Sequence, residues 1–205
     1  MAIDGTCEDV AETRPMLRTL DGSTMAPTRV RFRNCALCIC RSCGTHAIFD
    51  AVAAPCCVAE ARLALVLLHS IEADMVLLDR GLFAGPLIEN IRDKQAQVIA
   101  GLESHVLTKP VTRLRDGIYL ASLSPQSSHG LRKPLLVRVI TYRVYAPDLP
   151  YHGELRRMAT TLLDPKQAPD KEVTTFYHER WEIEIVQSVK LSKGVTSPAC
   201  LQNRA

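Results

Sequence analysis

The sequence predicts a mixed α/β layer, with a central sheet flanked by helices. Three observations predict it. Met75-Val76-Leu77-Leu78 is a short, unbroken apolar run, the mark of a strand buried on both faces. The preceding segment, Val58 to Ile71, repeats apolar residues at helical spacing through Leu63, Leu65, Val66, Leu67 and Leu68. Strand-like and helix-like segments alternate along most of the chain, which is the pattern of a layered α/β domain.

Taken in order, Ala2-Ile3 reads as the stump of a strand that stops at Asp4-Gly5-Thr6. The polar stretch Cys7 to Thr28, rich in Thr, Asp and Pro, reads as loop. Arg29 to Arg41 and Thr45 to Ala54 read as two strands of a hairpin turning at Gly44. The helix of Val58–Ile71 and the strand Met75–Leu78 follow, and the strand ends at Asp79-Arg80-Gly81. Pro86 to Gln95 reads as a helix and Gln97 to Leu102 as a strand. From His105 to Asp164 the character changes to short alternating segments (Tyr119–Ala121, Leu135–Tyr145, Met158–Leu163), with Ser122 to Lys133 the most flexible loop. Pro169-Asp170 opens a helix, with proline and an acid in its first turn, that runs to about Lys190. The expected organisation is a first core part at 1–104, a β-rich basic insertion at 105–164, a core helix at 165–193 and a polar tail at 194–205.

The 205 residues are 47% hydrophobic and 23% charged, an ordinary globular balance that excludes wholesale disorder. Net charge is only +3, but it is unevenly spread. Residues 105–157 hold nine basic side chains against three acidic ones, a local excess of six that suits a phosphate-backbone footprint. A solvated surface would read the same way. No apolar run reaches the roughly 18 residues of a membrane helix, and Met1-Ala2-Ile3-Asp4 does not open a secretion signal, so a cytoplasmic protein without membrane partners is expected.

Eight cysteines then read as reduced thiols. Cys35, Cys38, Cys40 and Cys43 have spacing that invites a zinc reading. Against it, the flanking residues are strand-like, and a strand turns Cys38 and Cys40 one way and Cys35 and Cys43 the other. Zinc stays open as the alternative to buried small hydrophobes.

Three acids are placed for chemistry. Asp4 follows the first strand, Asp79 follows the most buried-looking one, and Glu184 sits on the last long helix. Carboxylates far apart in sequence can meet in a fold to hold hard cations such as Mg2+ and clamp the two oxygens of an in-line phosphoryl displacement. On the last helix Tyr177, Arg180 and Glu184 are spaced i, i+3, i+7, within roughly 60° of one another, beside an apolar stripe of Val173, Phe176, Ile183 and Val186. Arg180 suits bidentate phosphate contact, and Trp181, the only tryptophan, suits stacking on a displaced base. An amphipathic helix with an ordinary Arg180–Glu184 pair is the plainer reading.

Asp4 in Ala-Ile-Asp-Gly-Thr, Asp79 in Leu-Leu-Asp-Arg-Gly-Leu-Phe, and Tyr177-His-Glu-Arg-Trp-Glu-Ile-Glu184 resemble the three signature regions of DDE transposases of the insertion sequence 4 family, in the same order. Cys43-Gly-Thr-His-Ala-Ile and Thr160-Thr-Leu-Leu-Asp-Pro resemble further stretches of that family, so the resemblance covers about residues 2 to 190. It implies a ribonuclease H-like fold with a β-rich insertion before the last acid. It also implies a magnesium-dependent enzyme (manganese is the alternative ion) that hydrolyses phosphodiester bonds at transposon ends and joins the freed 3′-hydroxyl to target DNA. By position Asp4, Asp79 and Glu184 would hold the metal. Tyr177, Arg180, Trp181 and Lys190 would contact DNA, double-stranded DNA would be the partner, and the family's dimer on DNA is left open for this chain.

The sequence departs from the family in two ways. The signature lysine falls seven residues after the glutamate, where this chain has Leu191; Lys190, six residues on, points about 120° away on a regular helix. Only three residues precede Asp4, fewer than in the family, so a shortened copy with weak or absent transposition is expected, and a bare remnant is the extreme case.

Overall fold

The computed structural model describes residues 1–10, 33–43, 45, 47–55, 57–72, 74–106, 108–124, 130–144 and 153–178, with backbone alone at 7–10 and 33–35. Its elements are β1 (Ala2–Val10), β2 (Arg33–Arg41), β3 (Ile48–Pro55), α1 (Glu60–Val66) with a 3-10 turn at Leu67–Ser70, and β4 (Met75–Leu78) with a 3-10 turn at Arg80–Leu82. Then come α2 (Gly85–Asp93), β5 (Gln97–Leu102), β6 (Pro110–Arg115), β7 (Ile118–Leu123), β8 (Leu135–Arg143), β9 (Leu155–Thr160) and a helix over 170–178, here α3.

The nine strands form one mixed sheet in the order β3-β2-β1-β4-β5-β9-β8-β7-β6. β1 runs antiparallel to β2 and parallel to β4, and β4 runs parallel to β5. From β5 onward every pairing is antiparallel. The β-rich segment after residue 105 therefore widens the core sheet through the β5–β9 pairing.

One expectation is corrected here. β1 continues through Asp4 to Val10, so Asp4 lies inside a strand and not after its end. The polar run Glu8-Asp9 argued for loop, but nine residues of pairing with β2 outweigh that local preference. β1 is also central, held between β2 and β4. Beyond what the sequence reading assigned, the structure adds β6, an edge strand whose six residues are all exposed. With neither face buried it carries no alternating signal.

Side-chain alternation splits the core into two layers. One face packs Ile3, Cys38, Cys40, Val76, Leu78, Val98 and Ala100 under α1 and α2. The other packs Ala2, Leu77, Ile99, Ile140 and Met158 against Val173 and Tyr177 of α3. In α2, Pro86 presets the first turn, Leu87, Ile88 and Ile91 face the core, and Gln95 at φ 65° turns the chain out after the helix. Among the described residues no helix is long and apolar enough to cross a membrane.

α2 also carries a polar latch. Glu89, largely buried, accepts hydrogen bonds from the Arg132 backbone N–H at 3.0 Å, the Arg132 Nε at 3.1 Å and the Lys133 N–H at 3.1 Å. The Arg132 amide bond is the largest of the influences that hold the Glu89 carboxyl below its ordinary range. An acid with a lowered folded value stabilises the fold above its unfolded pKa of about 4.3 and loses that contribution as pH falls through the folded value. In thermal unfolding, wild type is expected to exceed Glu89→Gln at pH 6, with the gap closing as pH drops below about 4.

Candidate functional site

β1 and β4 bring two candidate acids together. Ala2 pairs with Leu77 and Ile3 with Leu78, so the next residue of each chain is Asp4 and Asp79. Asp4 stays on the strand and is only 15% exposed. Asp79 leaves β4 with extended backbone and caps the Arg80–Leu82 turn, its carbonyl accepting the Leu82 N–H at 3.0 Å. The site thus sits at the carboxyl end of β4, where open α/β sheets commonly bind their ligands.

Arg41, the last residue of β2, is fully buried and donates from Nη2 to Asp4 Oδ2 at 3.1 Å. This fixes the orientation of the Asp4 carboxylate. Glu60 in the first turn of α1 approaches both acids' segments: a Cβ built on Gly5 would stand 2.6 Å from Glu60 Oε2, and one on Gly81 3.5 Å from it. Burial, then Asp79, then Asp4 raise the Glu60 carboxyl above its ordinary range. Neighbouring negative charge and lost hydration both disfavour its ionised form.

Tyr177 of α3 is buried, and its hydroxyl donates to the Leu78 carbonyl at 3.2 Å, one residue before Asp79. It thereby braces the strand end that carries the acid. Its ring meets His178 edge-on, and His178 meets Tyr142 of β8 in the same way. Gly101 of β5 makes this fit possible. A Cβ there would collide with the Tyr177 hydroxyl and lie 2.5 Å from Arg80 Cγ. Overpacking of this kind costs about 1–3 kcal/mol, so Gly101→Ala is expected to lower the denaturation midpoint accordingly. A cavity of about 300 Å3 opens beside it, lined by Arg80, Tyr142, Arg156, Arg157 and Tyr177 among others.

Arg180, Trp181, Glu184 and Lys190 lie outside the described residues, as does the tail from 194. The structure therefore brings Asp4 and Asp79 together, seats Tyr177 behind them, and leaves the rest of the expected set unplaced. Among the described residues no three acids, histidines or cysteines stand close enough to enclose a metal ion unaided. The donor set at Asp4 and Asp79 is nonetheless all carboxylate oxygen, the chemistry a hard divalent cation takes. The side chains of Cys38 and Cys40 offer a poor alternative. Both lie buried in the core, and burial is the main cause that pushes each thiol up to about 12, so they stay protonated. Zinc binds the thiolate.

Much of the basic segment is used internally. Arg132 serves the latch and also meets Asp93. Arg157 Nη2 donates to the carbonyls of Glu103, Ser104 and Val106, and Arg156 pairs with Glu154 at 2.8 Å. Arg115 and Arg138 both reach Asp170. Lys109, Arg113 and Lys133 are exposed.

Sequence reasoning missed Glu60 and Arg41. An acid in a helix's first turn is ordinary dipole chemistry, and a strand-end arginine is ordinary solvent chemistry. The available hint was a glycine after each acid, at Gly5 and Gly81, where a neighbour can come close.

Comparison with known families adds one finding. A family model described as a transposase DDE domain matches residues 1–190. No curated protein matches the chain.

Proposed function

Because the chain belongs to the transposase DDE domain family, we propose that it is a transposase catalytic core of the insertion sequence 4 type, acting on double-stranded DNA at transposon ends. It hydrolyses a phosphodiester bond there and joins the freed 3′-hydroxyl to target DNA. The observation that carries this reading is the juxtaposition of Asp4 and Asp79 on neighbouring parallel strands within a mixed sheet, in a chain that the family model covers to residue 190. A central strand bearing one acid, beside a strand whose carboxyl end bears another, supports the ribonuclease H-like reading of the fold.

Asp4 and Asp79 would hold a magnesium ion, or manganese in its place, with Glu184 of the family signature as the third acid. When bound, such an ion neutralises phosphate charge and activates an oxygen nucleophile. The protein's own contributions are positional. Arg41 fixes the orientation of Asp4. Tyr177 and the Arg80–Leu82 turn fix the chain on either side of Asp79. Arg180 and Lys190 would meet backbone phosphate, and Trp181 would stack on a base.

The test uses end duplexes taken from the DNA flanking the chain's own coding sequence, a supercoiled target, and Mg2+ or Mn2+. Joined product, even at low yield, would support the reading. Cutting without joining would make the protein a nuclease, and no cutting with either ion would leave the family fold without its activity.

A further inference from the structure

The cavity of about 300 Å3 beside Gly101 lies on the α3 face of the sheet, next to the turn that follows Asp79. Gly101 pairs with Met158, which packs with Tyr177 in the layer under α3. Arg156, two residues before Met158, shares that face, as does its cross-strand partner Tyr142 of β8. Arg80 comes from the other side. It follows Asp79, and its Cα and Cγ lie 3.4 Å and 2.5 Å from the Cβ position of Gly101. The missing side chain on β5 thus lets the Arg80 stem run along the cavity wall. Arg157 also borders the cavity, but it pairs with Leu102, whose side chain lies in the opposite core layer, and its Nη2 serves the carbonyls of Glu103, Ser104 and Val106. Two guanidinium groups, those of Arg80 and Arg156, therefore flank the space. Arg156 is nine-tenths buried, whereas Glu154 is 55% exposed and meets its Nε and Nη2 through the single oxygen Oε2. A mostly exposed carboxylate adds little to a pair and gives way to an anion of better fit. Tyr177 is buried and Tyr142 meets His178 edge-on, so the rings serve as walls. The volume stands at the lower end for small-ligand sites, room for a phosphate with its sugar and not for a duplex.

We propose that this cavity takes one backbone phosphate of the DNA strand, a neighbour of the phosphate that is cut, held between Arg80 and Arg156. The proposal rests on the transposase reading above for the identity of the ligand as DNA. It adds a contact point built from β8, β9 and the turn after Asp79, outside the Tyr177–Glu184 signature. Arginine suits the task because its planar fork meets two phosphate oxygens at once. Consecutive Cα atoms stand about 3.8 Å apart, so an anion seated on Arg80 is tied to the position of Asp79. Filling the cavity therefore sets which phosphodiester bond lies over the acids. Glu154 holds the Arg156 fork in the DNA-free protein and turns to solvent when phosphate enters.

The test is a methylphosphonate scan. Duplexes from the DNA flanking the chain's own coding sequence each carry one uncharged phosphate substitute, and binding to the full chain is read by fluorescence anisotropy at low salt. Wild type is compared with Arg80→Gln, Arg156→Gln and, on the exposed edge strand β6, Arg113→Gln. In wild type, one position adjacent to the cleavage point is expected to lose about tenfold in affinity when neutralised. Arg80→Gln and Arg156→Gln are each expected to bind the unmodified duplex about tenfold more weakly and to show no further loss at that position. Arg113→Gln is expected to keep the full penalty there. Each result is a ratio within one protein, so partial destabilisation does not imitate it, and either arginine decides if the other variant fails to fold. A penalty that persists in either folded variant, or the lack of any single sensitive position, would overturn the phosphate site and leave the transposase reading standing. If the variants instead lose a penalty for an abasic nucleotide, the cavity takes a base and the proposal also falls. Failure of wild type to bind any of the duplexes would overturn the transposase reading itself.

Discussion

Asp79→Asn is expected to reduce DNA strand cleavage about a thousandfold while leaving the fold intact. The size follows from what the carboxylate does in the proposed centre. A metal-held oxygen contributes several kcal/mol of charge stabilisation in the transition state, and each 1.36 kcal/mol is a factor of ten in rate. Asparagine keeps the shape and one oxygen of aspartate but loses the charge that competes for a hydrated cation. The fold is expected to survive because two bonds to backbone groups hold the chain at this position. The Asp79 carbonyl accepts from Leu82, and the Leu78 carbonyl accepts from Tyr177, and neither bond uses the carboxylate. Single-turnover cleavage of a labelled duplex, alongside thermal unfolding, measures both. Activity within tenfold of wild type would remove Asp79 from the chemistry.

The fold was legible where burial wrote a pattern. Gln97–Leu102 is a strand with the bounds that its apolar run indicated, because five of its six residues are buried. Met75–Leu78 is central for the same reason. Cys38 and Cys40 face the same core layer, as strand alternation requires, while Cys43, in the turn after β2, packs against the other. Legibility failed where long-range pairing overrode local preference. Residues 4–10 look like loop and become strand only because β2 lies alongside. Position 60 gives no hint of its surroundings, since its neighbours Gly5 and Gly81 are distant in sequence and carry no side chain to announce a contact. The basic segment misled in the opposite direction: its arginines read as a phosphate footprint, and several are tied to carbonyls and acids of the same chain.

That internal use of arginine leads to the largest expected loss of stability. Asp170→Asn should cost about 3–5 kcal/mol. Arg138 of β8 is fully buried, donating to the Ala168 carbonyl at 2.7 Å and standing 3.5 Å from Asp170 Oδ1. Burial is the main cause that lowers the Arg138 guanidinium from its ordinary range, and the charge of Arg115 adds to it. Asp170 is the carboxylate that both arginines reach. Neutralising it leaves a buried guanidinium beside a second one, which is far costlier than the pair was beneficial. For a chain of this size about 2–4 °C of melting temperature goes with each kcal/mol, so a fall of roughly 6–20 °C is expected. Replacing both partners, as Arg138→Met with Asp170→Leu, should recover most of the loss, because no buried charge is left uncompensated and Arg115, mostly exposed, is solvated by water. The same contact seats the first turn of α3 on the sheet, and this helix brings Tyr177 to Leu78. Asp170→Asn is therefore expected to lower cleavage at temperatures where the variant is still folded. Additive behaviour of the two substitutions in denaturant unfolding would show that the arginine and the carboxylate act separately, and that α3 is anchored by its apolar contacts alone.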